Sequence, residues 1–129
     1  MAKKLWVATR KGLFRLESAD AGKSWGIAHV AFLGEPVSMM LEDARDGSVY
    51  AALNLGHFGV KLHRSDDNGV TWTEIAAPAY PKTEDGKGPA TSMVWALEPA
   101  GPKASDGLWI GTLPGGLFRS LDRGASWTL

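Results

Sequence analysis

The chain has 129 residues, 14 Lys+Arg against 14 Asp+Glu, no cysteine, 16 glycines and six tryptophans. That length suits one domain rather than two. The zero formal charge argues against broad electrostatic binding to nucleic acid or an anionic membrane, and the missing cysteine excludes disulfides, thiolate zinc sites and cysteine nucleophiles. Met1-Ala2-Lys3-Lys4 is basic, but the apolar run from Leu5 to Ala8 is too short for the core of a signal peptide. The apolar stretch from Ile27 to Leu33 contains His29 and falls far short of a membrane span. The expectation is a soluble, unprocessed, cytoplasmic chain.

Glycine accompanied by aromatic and β-branched residues, with little helical periodicity, predicts many short strands and tight turns. Strands are expected at 5–9, 12–18 and 24–29, then at 37–42, 48–53, 59–65 and 71–76, and finally at 91–98, 108–112, 116–120 and from 125 onward. Asp46-Gly47 and Asp106-Gly107 favour tight reversals between strands. One eight-residue box punctuates this series three times. It reads Ser18-Ala-Asp20-Ala-Gly22-Lys-Ser24-Trp25, then Ser65-Asp-Asp67-Asn-Gly69-Val-Thr71-Trp72, then Ser120-Leu-Asp122-Arg-Gly124-Ala-Ser126-Trp127.

The likeness extends upstream of each box. Trp6, Tyr50 and Trp109 occupy one equivalent position, and Arg15, Arg64 and Arg119 another, just before the box. The boxes are 47 and 55 residues apart, which is the spacing of four-stranded propeller blades. In each box the Asp side chain is expected to bond turn amides, the Gly to supply a positive φ, the hydroxyls to satisfy further amides, and the Trp to pack beneath the hairpin. The box residues Ser18, Asp20, Gly22, Trp25, Ser65, Asp67, Gly69, Trp72, Ser120, Asp122, Gly124 and Trp127 are therefore read as structural.

These boxes resemble the Asp-box, or bacterial neuraminidase repeat, family of β-propellers, which includes sialidases, other glycosidases, sortilin-type receptors and photosystem assembly factors. Bacterial proteins labelled exo-α-sialidase look similar. The resemblance implies an all-β fold, a partial β-propeller of about 2.75 four-stranded antiparallel blades with the boxes on the turns between the third and fourth strands. Blade 1 spans 1–34 and lacks its inner strand, blade 2 spans 35–89 and blade 3 spans 90–129. Such a count does not close a ring, since propellers need four to eight blades. The expectation is an N-terminal part of a longer propeller, or an assembly of several copies through exposed terminal blades.

Ligands of propellers meet the connections at the end of the ring opposite the boxes. Arg10 there has the planar fork that suits a carboxylate or phosphate, with Lys11 beside it. His57 is a candidate acid, base or ligand near neutral pH, flanked by Asn54 and Phe58. Tyr80, Glu84 and Asp85 sit in the long connection 77–89, where adjacent carboxylates suit acid–base work. His29 and His63 are separated by strands and lack metal-ligand spacing, so neither metal nor cofactor is expected. Trp95 is expected near the central channel and Met39, Met40 and Met93 in the core.

A sialidase needs three arginines, an acid–base Asp and a Tyr nucleophile assisted by Glu. Arg10 is followed by Lys11-Gly12 rather than the usual Ile-Pro, and Tyr50 aligns with the packing tryptophans. The readings, in order, are a scaffold that binds a small molecule, glycan or protein at the propeller face, a glycoside hydrolase-like enzyme whose other catalytic residues lie outside the chain, and a structural fragment.

Overall fold

The computed structural model describes residues 3–86, 88–103 and 106–129, and only the backbone of His57. Ala104 and Ser105, in the turn predicted before Leu108, lie outside the described residues. Among the described residues ten strands form three antiparallel sheets. The first contains β1 (Lys3–Thr9), β2 (Gly12–Ser18) and β3 (Gly26–Ala31) in the order β1-β2-β3. The second contains β4 (Val37–Glu42), β5 (Val49–Asn54), β6 (Val60–Ser65) and β7 (Thr73–Ile75), again in sequence order. The third contains β8 (Met93–Pro99), β9 (Leu108–Leu113) and β10 (Gly116–Ser120). One 3-10 turn covers Gly56–Phe58, and no described helix is long and apolar enough to cross a membrane.

The sheets stack as three successive blades. Side chains alternate between faces along each strand, so the central blade is buried on both. Toward blade 1, Ala51, Leu53 and Val37 pack with Leu13 and Ala31, and Trp6, Ala8, Phe32, Met40 and Trp72 close the edges. Toward blade 3, Tyr50, Ala52 and Leu62 pack with Val94, Leu97, Leu108 and Ile110, bordered by Met39, Ile75 and Trp127. Each fully buried Leu, Ile or Val in these layers contributes about 1.5–3 kcal/mol relative to exposure. The inner strands β4 and β8 contact one another, and β1 contacts β4.

The boxes fold alike. In each, the first Ser hydroxyl donates to the Asp carboxylate at 2.7 Å. The same Ser oxygen accepts the N–H of the box Gly at 2.8–2.9 Å. The Asp in turn accepts the backbone N–H of Ser24, Thr71 or Ser126 at 2.8–2.9 Å, and also the hydroxyl of that residue. The left-handed backbone extends over two residues, the Gly and the one before it, Ala21, Asn68 or Arg123, with φ between 56 and 61°.

This geometry corrects three expectations. The residues up to the box Trp belong to the turn, so the fourth strands begin later than expected, at Gly26 and Thr73. In blade 3 the turn takes up residues through Trp127, and the strand expected from 125 onward reduces to a single bridge between Arg119 and Thr128. The box tryptophans are not equivalent in burial. Trp72 meets Phe32 at 4.9 Å and Trp127 donates to the Ala76 carbonyl at 2.7 Å. Trp25, with no preceding blade to meet, is exposed.

Candidate functional site

Antiparallel pairing fixes which connections share an end. The turn after β1, the segment after β3, the 3-10 turn after β5, the long connection after β7 and the turn after β9 all lie at one end. The three boxes lie at the other. The connections that carry the expected ligand-facing residues thus share one end of the blades, where two separate concavities take up Arg10 and Asn54 on the one hand and Tyr80 on the other.

The first concavity, about 490 Å³, is lined by Ala8, Thr9 and Arg10 of blade 1, by Pro36, Val37, Ser38 and Asn54 of blade 2, and by Met93 of blade 3. Thr9 Oγ1 donates to the Gly12 carbonyl and accepts the Lys11 N–H, which fixes the turn carrying Arg10. The Arg10 side chain is exposed and makes no hydrogen bond or ion pair among the described residues. Lys11 is exposed beside it. Asn54 brings its carboxamide oxygen to the Gly56 N–H at 3.4 Å, a local turn contact. Ser38 donates to the Val94 carbonyl at 3.1 Å, joining the floor of the concavity to blade 3. Met93, expected in the core, is half-buried and lines this wall because it is the first residue of β8.

The second concavity, about 510 Å³, lies between the connection after β7 and Val60 of β6 and is lined by Tyr80, Lys82 and Thr83 among others. The Tyr80 hydroxyl donates to the Pro114 carbonyl at 2.7 Å, and its ring meets Phe118 edge-on at 5.4 Å. Tyr80 therefore anchors the connection on blade 3. Glu84 and Asp85 are exposed, and Asp85 accepts the Thr83 hydroxyl at 2.8 Å. Phe58 is 77% exposed. The His57 side chain lies outside the described residues. Arg10 and Asn54 thus line one concavity and Tyr80 the other, whereas Glu84 and Asp85 line neither.

At the box end the chemistry is structural. The Ser24, Thr71 and Ser126 hydroxyls lead the hydrogen bonds that hold Asp20, Asp67 and Asp122 down to about 2. Carboxylates so low and so fully engaged are poor proton carriers at neutral pH. Arg15 donates to the Asn68 carbonyl at 2.6 Å and Arg64 to the Arg123 carbonyl at 3.1 Å, each reaching the box of the next blade. A further cluster was not anticipated from the sequence. Asp43, almost fully buried, takes Arg45 in a two-point pairing at 2.9 and 2.7 Å, and Arg45 also donates to the Gly101 and Gly107 carbonyls at 2.8 Å. Its only sequence signal is the tight Asp43-Ala-Arg45 spacing. Trp95, expected near the central channel, stands at a bulge in the inner strand β8 and is 67% exposed.

Three stacked antiparallel sheets with the same turn at each rim define a partial β-propeller. No protein-family model and no curated protein matches the sequence. Among solved structures, that of YCF48 bound to D1 peptide is similar, with a TM-score of 0.54 and 16% identity over 99% of this chain and 43% of that one. The chain therefore spans less than half of the structure it matches, and at that identity the likeness is one of fold.

Proposed function

We propose that this chain is an Asp-box propeller module serving as a binding scaffold, and that it holds a segment of another protein at the end bearing Arg10. The observation that carries this reading is the Arg10 concavity. A guanidinium with no protein partner among the described residues stands at the rim of a depression built jointly by three blades. An unspent planar donor pair suits a carboxylate, from an acidic side chain or a peptide terminus. The apolar walls from Ala8, Pro36, Val37 and Met93 suit the carbon skeleton beside it. The similar structure, YCF48, is bound to D1 peptide, and this supports a peptide over a glycan or small molecule. The repeated box turns support placement among Asp-box propellers. The scaffold reading asks for no catalytic constellation.

The test is fluorescence anisotropy with a library of short labelled peptides carrying acidic residues or a free C-terminal carboxylate, each paired with its amidated counterpart. Binding is expected to need the carboxylate and to weaken at least about tenfold in Arg10→Ala, the size of one lost charge-assisted contact, with an unchanged melting curve. Equal binding by Arg10→Ala, or no carboxylate dependence, refutes the site. Hydrolysis of a fluorogenic sialoside panel that disappears in Arg10→Ala would replace the scaffold by the enzyme.

A further inference from the structure

The contact between successive blades is repeated, and its two halves are each left open once. On the leading side, a blade offers an aromatic residue and an arginine to the next box. In blade 1 these are Trp6 and Arg15, stacked with the guanidinium carbon 5.8 Å from the ring centroid. Arg15 bonds the Asn68 carbonyl, and the Trp6 ring lies against Gly69 so closely that a Cβ there would collide with it. In blade 2 the same positions are Tyr50 and Arg64. Arg64 bonds the Arg123 carbonyl, and Tyr50 interacts with the Arg123 side chain.

Blade 3 carries the same pair, with no box against it among the described residues. Arg119 stacks on Trp109 at 5.7 Å, and its guanidinium makes no hydrogen bond or ion pair among the described residues. Leu117, 59% exposed, Leu113 and Trp95 extend this open face.

On the trailing side, blade 1 has the complementary half. Ala21 and Gly22 of its box have the φ values of Asn68-Gly69 and Arg123-Gly124. The nearest atoms to where a Gly22 Cβ would be belong to the Lys3 and Trp25 side chains of the same blade, none closer than 3.7 Å. Trp25, the counterpart of the interblade Trp72 and Trp127, is exposed. Leu5 and Ile27, on the same apolar sheet face as Leu16 by register, are 48% and 64% exposed.

Among the described residues these two halves lie on opposite ends of a three-blade stack. We propose that two copies of this chain close head to tail into a six-bladed ring, blade 3 of each seated on blade 1 of the other. Arg119 then donates to the Ala21 carbonyl of the second copy, and Trp109 lies against its Gly22, as Arg15 and Trp6 do at Asn68 and Gly69. Two copies give six blades, inside the four-to-eight range that closes, whereas three give nine. A head-to-tail contact that closes leaves no edge face exposed. The inference rests on the blade contacts and is independent of the Arg10 reading.

Multi-angle light scattering behind size exclusion tests it on the 129-residue chain. The expected mass is twice 13.8 kDa. A monomer, or a mass above two copies, overturns the proposal. Two double variants at exposed positions separate the halves, Leu117→Glu with Arg119→Glu on blade 3 and Leu5→Glu with Ile27→Glu on blade 1. Each alone is expected to give a folded monomer, checked by circular dichroism, because each breaks both contacts of the ring. A dimer that survives either variant overturns the head-to-tail arrangement. If a variant fails to fold, the wild-type mass and the other variant still decide. Acrylamide quenching of tryptophan should also rise on dilution below the dimer range; an unchanged quenching constant across dissociation overturns the burial of Trp109 and Trp25.

Discussion

Removing one buried hydroxyl from the central box tests whether the box works as a folding device. Ser65 is fully buried, and its oxygen accepts the Gly69 N–H at 2.8 Å while donating to Asp67 at 2.7 Å. Ser65→Ala leaves the Gly69 N–H without an acceptor in a place that the Trp6 ring closes to water. An orphaned buried donor costs about 1–3 kcal/mol. At a urea dependence of roughly 2 kcal/mol per molar, a loss of about 2 kcal/mol lowers the unfolding midpoint by about 1 M. Thr71 is the control within the same box. It is exposed, and its hydroxyl donates to the Asp67 carboxylate from the solvent side. In Thr71→Ala water replaces the lost donor, and the expected change stays within about 0.5 kcal/mol. Urea unfolding of both variants at one protein concentration gives the comparison. Equal midpoint shifts, or a larger one for Thr71→Ala, would refute the view that burial of the first Ser hydroxyl decides the strength of the turn.

Gly69→Ala and Gly47→Ala share a positive φ, 83 and 79°, but nothing lies within 4 Å of Gly47 whereas Trp6 crowds Gly69. Thermal melts should show a loss of about 1 kcal/mol for Gly47→Ala from backbone strain and a clearly larger loss for Gly69→Ala. Arg45→Ala strands the buried Asp43 carboxylate and two carbonyls, and a loss of about 3–5 kcal/mol is expected in urea unfolding. Acid unfolding follows from the boxes. Asp20, Asp67 and Asp122 have folded values of about 2 against 3.8 ordinarily, so their contribution is complete above the ordinary value and is lost as pH falls from there through about 2. Melting temperatures from pH 7 to 2 should drop mainly below pH 4, and replacing all three by Asn should flatten that limb; an undiminished drop would place the acid sensitivity elsewhere.

Much of the fold was legible because the repeat carries its own alignment. The strands at 37–42 and 116–120 fall where the residue pattern puts them, and Tyr50 is packed, as its alignment with the tryptophans leads us to expect. The fourth strands were misplaced for a physical reason. Thr71-Trp72 has strong strand character, yet Asp67 accepts both the N–H and the hydroxyl of Thr71 and so withholds it from the ladder. The bulge at Trp95, where register along β8 breaks between Val94 and Ala96, has no signal in the residue pattern of the strand.

The site was legible one residue at a time but not as a group. A connection's sequence marks it as exposed and polar, and that was enough to single out Arg10, Asn54, Tyr80 and Glu84. Which of them share a wall depends on how blades stack, and stacking is set by core residues far away in sequence. Arg10 and Asn54 line one concavity because Leu13 and Ala31 of blade 1 pack with Ala51 and Leu53 of blade 2. Tyr80 leaves the group because its hydroxyl reaches the Pro114 carbonyl and its ring reaches Phe118. The same reasoning separates the recurrent arginines from Arg10. Arg15 and Arg64 spend their donors on the carbonyl of a neighbouring box, so their recurrence records a joint between blades. Arg10 has no counterpart in the other two blades and no partner among the described residues, and the proposed peptide site rests on those two properties.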